Sequence, residues 1–124
     1  MTKVLLVTGG SRGIGAATAI KAAADGFAVA VNYRTNRDAA RAVVSTIQET
    51  GGKAIAVQAD VSDERGVLGV FEAVDQNFGR LDALFNNAGV IHTNQRIRDY
   101  EVATLEEQWR VNISSQFLCA REAV

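Results

Sequence analysis

The sequence predicts an α/β fold built on a doubly wound parallel sheet. Short apolar runs alternate with longer segments of helical periodicity in the order βαβαβαβα, and the changes fall at glycines or helix-capping residues. The length agrees, because 124 residues make one domain able to bury roughly two-thirds of its unfolded surface.

Val4 to Val7 is a four-residue apolar run ending at Thr8-Gly9-Gly10, the pattern of a strand buried on both faces. Ile14 to Ala24 is alanine-rich and stops at Asp25-Gly26, which predicts a helix with a glycine at its C-terminal end. Phe27 to Val31 is the second strand. Asn36 can cap a helix whose Ala39, Ala40, Val43, Val44 and Ile47 share one face, with Gly51-Gly52 closing it. Ala54 to Val57 is the third strand. Ser62 can cap the next helix, in which Val67, Val70, Phe71, Val74 and Phe78 form a stripe before Gly79. Leu81 to Phe85 is the fourth strand. Thr104 and Glu107 have capping-box spacing, and Leu105, Trp109, Ile113 and Phe117 recur every four residues to the C-terminus.

Composition excludes several functions. Thirteen Lys and Arg against 14 Asp and Glu give a net charge of -1, so no global field favours nucleic acid or membrane, and a phosphate ligand must be held locally. One cysteine, Cys119, and one histidine, His92, supply neither a disulfide framework nor a zinc site, and they fit a reducing, cytoplasmic setting. The N-terminus is too short in apolar residues for a signal peptide or a membrane span. Proline is absent, and 11 glycines punctuate the chain instead.

The first strand feeds Thr8-Gly9-Gly10-Ser11-Arg12-Gly13-Ile14-Gly15 and then a helix. In this context glycines let backbone approach a pyrophosphate while the helix N-terminus supplies N–H donors. Ala16-Ala17 stands where a Walker loop needs Lys and Ser or Thr, which argues against a nucleotide-triphosphate P-loop. Gly9-Gly10-Ser11-Arg12-Gly13 also matches the nucleophile elbow G-x-S-x-G, with Asp82 and His92 following in hydrolase order. An elbow after a single strand, with no glycine-rich oxyanion segment upstream, speaks against that alternative.

Thr8-Gly9-x-x-x-Gly13-Ile14-Gly15, Asp60-Val61, Asn86-Asn87-Ala88-Gly89 and Asn112, in this order and spacing, resemble the short-chain dehydrogenase/reductase family along the whole chain. The resemblance implies a Rossmann-like sheet, first half only, with strand order 3-2-1-4. Residues 1–124 would be a dinucleotide-binding domain cut off after the helix that carries Asn112. Gly9, Gly13, Ile14 and Gly15 would line the pyrophosphate, with Ser11 reaching ribose or phosphate. Asp60 and Val61 would meet the adenine, and Asn87, Ala88 and Gly89 the ribose and nicotinamide side. Asn112 would be the active-site asparagine, interrupting its helix and helping to hold a water in the proton relay.

The second strand leads into Asn32-Tyr33-Arg34, where NAD binding needs a carboxylate for the adenosine ribose. None is present. Arg34 and Arg12 can instead pair with a 2′-phosphate. The expected cofactor is therefore NADP(H), with NAD(H) still possible, and the expected reaction interconverts an alcohol and a ketone or aldehyde. Members of the family also carry a Tyr-x-x-x-Lys pair. Here Tyr33 and Tyr100 are followed four residues later by Arg37 and Thr104, and the lysines are Lys3, Lys21 and Lys53. The 124 residues alone are thus expected to be inactive, with a homo-oligomer or a missing C-terminal half as partner. The non-enzyme alternative is a nucleotide-binding or interaction module. His92 and Tyr100 fall in a loop, Val90 to Ala103, where substrate contacts concentrate, and Trp109, Phe117 and Cys119 read as packing residues.

Overall fold

The computed structural model describes residues 1–91 and 94–124; His92 lies outside them. Four parallel strands, β1 (Val4–Val7), β2 (Ala28–Tyr33), β3 (Ala54–Gln58) and β4 (Ala83–Phe85), stand in the order β3-β2-β1-β4. The helices between them are α1 (Gly13–Ala24), α2 (Arg37–Glu49) and α3 (Glu64–Phe78). After β4 come a 3-10 turn (Ile97–Asp99), α4 (Val102–Trp109), a π-helical turn (Arg110–Ser114) and α5 (Ser115–Ala123). The predicted fold and strand order are those observed.

Alternation along β1 divides the interior into two layers, because successive side chains on a strand point to opposite faces. Leu5 and Val7 join Val29, Val31, Ala40, Val43 and Ile47 on the side of α1 and α2. Val4 and Leu6 join Ala28, Ala30, Val67, Val70, Val74 and Cys119 on the side of α3 and α5. Leu6 is fully buried, a contribution of about 1.5–3 kcal/mol relative to exposure. Register is continuous from Val4 opposite Ala28 to Val7 opposite Val31, and Val7 faces Phe85 on the other side. The C-terminal ends of β1, β2 and β4, and the loops leaving them, therefore share one edge of the sheet.

Several boundaries differ from the sequence reading. β2 runs on to Tyr33 because Asn32 and Tyr33 continue the pairing with β3, and β4 keeps only three residues. Ser62 does not cap α3; Asp63 does, its carboxylate accepting from the Arg65 N–H at 3.0 Å. Thr104 does not open a capping box either. α4 already begins at Val102, after Glu101, with no side-chain cap. Asn36 caps α2 as expected, accepting from the Ala39 N–H at 3.0 Å, and Gly79 ends α3 in the left-handed conformation at φ 70°. Cys119 is buried as expected, whereas Leu105, Trp109, Ile113 and Phe117 face outward.

Candidate functional site

The loop after β1 makes its turn through two left-handed residues, Gly9 at φ 60° and Gly13 at φ 56°, a conformation that costs a residue with a Cβ roughly 1–2 kcal/mol. It also packs too closely for side chains. A Cβ on Gly15 would lie 2.5 Å from the Asn87 amide nitrogen and 2.6 Å from the Gly9 carbonyl, and one on Gly9 would lie 2.9 Å from the Ala88 Cα. Arg12 precedes α1 without a side-chain cap. Among the described residues no protein acceptor is paired with the amides of Gly13, Ile14 and Gly15, the donors a helix N-terminus offers to an anion.

Thr8 and Asn87 clasp this loop to β4. The Thr8 hydroxyl accepts from the Asn87 N–H at 3.0 Å and the Ala88 N–H at 3.1 Å, and it donates toward the Phe85 carbonyl at 3.4 Å. The Asn87 amide donates to the Thr8 and Gly9 carbonyls at 3.2 and 2.9 Å. Asn32 performs the matching task from β2. Its side-chain oxygen accepts from the Gly9 N–H at 3.2 Å, while its NH₂ donates to the Val57 and Ala59 carbonyls, both at 3.2 Å. Asn32 is fully buried, so its polar atoms are spent on the frame of the site.

A cleft of about 500 Å³ opens above these strand ends. The sequence-predicted residues Gly9, Ser11, Arg12, Gly13, Ile14, Asn32, Tyr33, Arg34, Asp60, Val61, Asn87, Ala88 and Gly89 all line it, as do Ser62, Val90 and Val111. Gly15 acts from behind by letting α1 close on the loop. At one end, Arg34 Nε stands 3.7 Å from Asp60 Oδ2. Burial pushes the Asp60 carboxyl upward, but the Ser62 hydroxyl and amide, then Arg34 and Arg110, outweigh it and hold the pKa below the ordinary value. At the other end, Asn112 in the π turn accepts from the Val90 N–H at 2.7 Å and donates to the Val90 carbonyl at 2.9 Å. A π turn breaks the α-helical bonding register, so the helix is interrupted at Asn112, as the resemblance implied.

The sequence reading did not single out the Asn32 clamp or the role of Thr8; a polar residue inside an apolar strand was the available signal. The hydrolase alternative fails on geometry. Asp82 sits at the start of β4, where it accepts from the Val4 N–H and pairs with Arg80, so the length of β1, roughly 10 Å, separates it from the loop bearing Ser11.

Glycines packed for close backbone approach at a helix N-terminus, and a cleft at the point where β1 hands on to strands on either side, define a doubly wound α/β protein with its candidate site at the C-terminal ends of the strands. The profile described as short chain dehydrogenase matches residues 3–124, and the chain belongs to that family. The chain is 46% identical over 121 residues to the uncharacterized oxidoreductase YgfF of Escherichia coli K12, covering 98% of this chain and 49% of the relative. It is 42% identical over 121 residues to elsinochrome reductase 1 of Elsinoe fawcettii, covering 98% and 45%. A short chain dehydrogenase from Burkholderia cenocepacia J2315, solved in complex with NADP, superposes with a TM-score of 0.93 at 40% identity, over 98% of this chain and 49% of the other. The chain thus spans about half the length of the curated relatives it matches. Among the described residues no helix is long and apolar enough to cross a membrane.

Proposed function

We propose that this chain is the cofactor-binding half of an NADP(H)-dependent oxidoreductase that interconverts an alcohol and a ketone or aldehyde. The observation that carries the reading is the pair Arg12 and Arg34, which line the same cleft as the glycine loop with no carboxylate at the end of β2. The amides of Gly13, Ile14 and Gly15 face the pyrophosphate in this reading, and Gly13, with open space where a side chain would stand, leaves room for it, while Gly9 lets Ala88 pack against the loop. Arg34 and Arg12 suit the 2′-phosphate through charge-assisted bonds. Asp60 and Val61 form the adenine end of the cleft; Asn87, Ala88, Gly89 and Val90 form its nicotinamide end. When bound, the reduced nicotinamide supplies the hydride.

Asn112 fastens Val90 through both polar atoms of its side chain, which fixes the wall where a carbonyl substrate would meet the nicotinamide. On this reading the proton donor is a tyrosine with a lysine four residues on, a pattern that neither Tyr33 nor Tyr100 supplies. A relative named as a reductase and a neighbour complexed with NADP support the assignment.

Calorimetric titration with NADPH and NADH tests it. Loss of one charge-assisted contact costs ~1.5–3 kcal/mol, so NADPH is expected to bind ten- to a hundredfold more tightly, and Arg34→Asp to reverse the order. Equal affinities in wild type and variant would overturn the proposal.

A further inference from the structure

Among the described residues the buried polar side chains are Thr8, Asn32, Ser62 and Ser115. The first three brace the loops around the cleft, and Ser115, at 2% exposure, belongs instead to the buried row Val111, Ser115, Cys119. It follows the π turn directly and makes two donations there. Its N–H reaches back five residues to the Arg110 carbonyl, where an α-helix would give it to Val111, four residues back. Its hydroxyl takes up the Val111 carbonyl so released, at 2.5 Å. A carbonyl buried without a donor is destabilising, so the hydroxyl makes good what the π turn removes.

Two contacts with the loop after β4 depend on where this turn places the chain. Asn112 holds Val90, and the Asn86 amide donates to the Gln116 carbonyl at 3.1 Å. The fit at Asn112 is close, since a Cβ on Gly89 would lie 3.1 Å from its Oδ1. Each residue of an α-helix turns the chain by about 100°. Because the core fixes Ser115 and Cys119, closing the π turn to α geometry would swing Asn112 through about that angle and off Val90.

We infer that Ser115 is a positioning residue for the nicotinamide end of the cleft: by giving Val111 a donor, its hydroxyl holds the π turn that aims Asn112 at Val90. The nicotinamide part rests on the dinucleotide reading above, whereas the link from Ser115 to Val90 stands without it. In an ordinary helix a serine bonded four residues back competes with the backbone. Here it fills a place the backbone has left. Ser115 touches no ligand itself; it acts through Asn112.

Proton–nitrogen NMR of the purified chain, without ligand, reads the link directly. The Val90 N–H resonance, held downfield by its 2.7 Å bond to Asn112, is expected to move upfield in Ser115→Ala and to return in Ser115→Thr, whose hydroxyl can make the same bond. Calorimetry then compares NADPH with 2′,5′-ADP, which lacks the nicotinamide. Ser115→Ala is expected to weaken NADPH binding about tenfold, the equivalent of one hydrogen bond, and to leave 2′,5′-ADP unchanged. In an Asn112→Ala background it should add nothing. Should Ser115→Ala fail to fold, Ser115→Cys keeps the size and weakens the donor, with the Val90 resonance moving the same way. An unmoved Val90 resonance in a folded variant overturns the inference, as does an equal loss for both nucleotides, the mark of a merely structural serine. Binding of neither nucleotide by wild type overturns the cofactor reading and the nicotinamide role with it, while the Val90 resonance still decides the link.

Discussion

Thr8 shows how one hydroxyl can hold a site together. Buried at the end of β1, it is the acceptor for two amides of the β4 loop, and an amide left buried without a partner costs ~1–3 kcal/mol. Thr8→Val keeps the shape and removes the acceptor. It is expected to lower stability by about 2–4 kcal/mol in urea unfolding, while Thr8→Ser loses far less; equal behaviour of the two variants would show that the hydroxyl is idle. Asp82 makes the corresponding contact at the opposite end of β1 and β4. The Arg80 hydrogen bond first, and then the Val4 N–H, hold its carboxyl below the ordinary range. A depressed carboxyl contributes stability above its unfolded pKa of about 3.9, and that contribution disappears as pH falls through the lower folded value. The melting-temperature gap between wild type and Asp82→Asn should therefore be largest near neutrality and close below about pH 4.

Helix ends separate what local pattern can reveal from what it cannot. Asp63→Ala removes the α3 cap and should cost about 1 kcal/mol, or roughly 4 °C in melting temperature; Ser62→Ala should leave α3 no less helical by circular dichroism. Both residues are good caps by type, and neighbouring candidates cannot be ranked without knowing where the chain turns. Here the turn is set by Asp60, which takes Ser62 away from the helix. The strands, the three crossover helices and the glycine loop were legible because apolar period, alanine content and glycine spacing all agree there. Thr104 and Glu107 misled because capping spacing recurs by chance inside a helix. The Asn32 and Thr8 clasps were illegible because their partners lie 23 to 80 residues away in sequence.

For the whole molecule, the decisive surface is the outward stripe on α4, the π turn and α5. Leu105, Trp109, Ile113 and Phe117 are 49%, 56%, 50% and 65% exposed, and β4, next to them, pairs among the described residues with β1 alone. Unpaired strand edges and contiguous apolar stripes favour association. The 124-residue chain is expected to elute above monomer mass in light-scattering chromatography, and Trp109→Glu with Phe117→Glu should shift it to a monomer; a monomeric wild type would refute this.

The clasp between β1 and β4 also sets a timetable. β1 finds β2 across 24 residues, but Val4 reaches Asp82 across 78, and closing the longer loop costs about 1 kcal/mol more. β1, β2 and β3 can thus zip together while β4 is still searching, and the floor of the cleft exists only after the last strand has docked. Thr8→Val should speed unfolding far more than it slows refolding, with Thr8→Ser close to wild type in both, and after dilution from urea the chain should regain its helices before the cleft is complete.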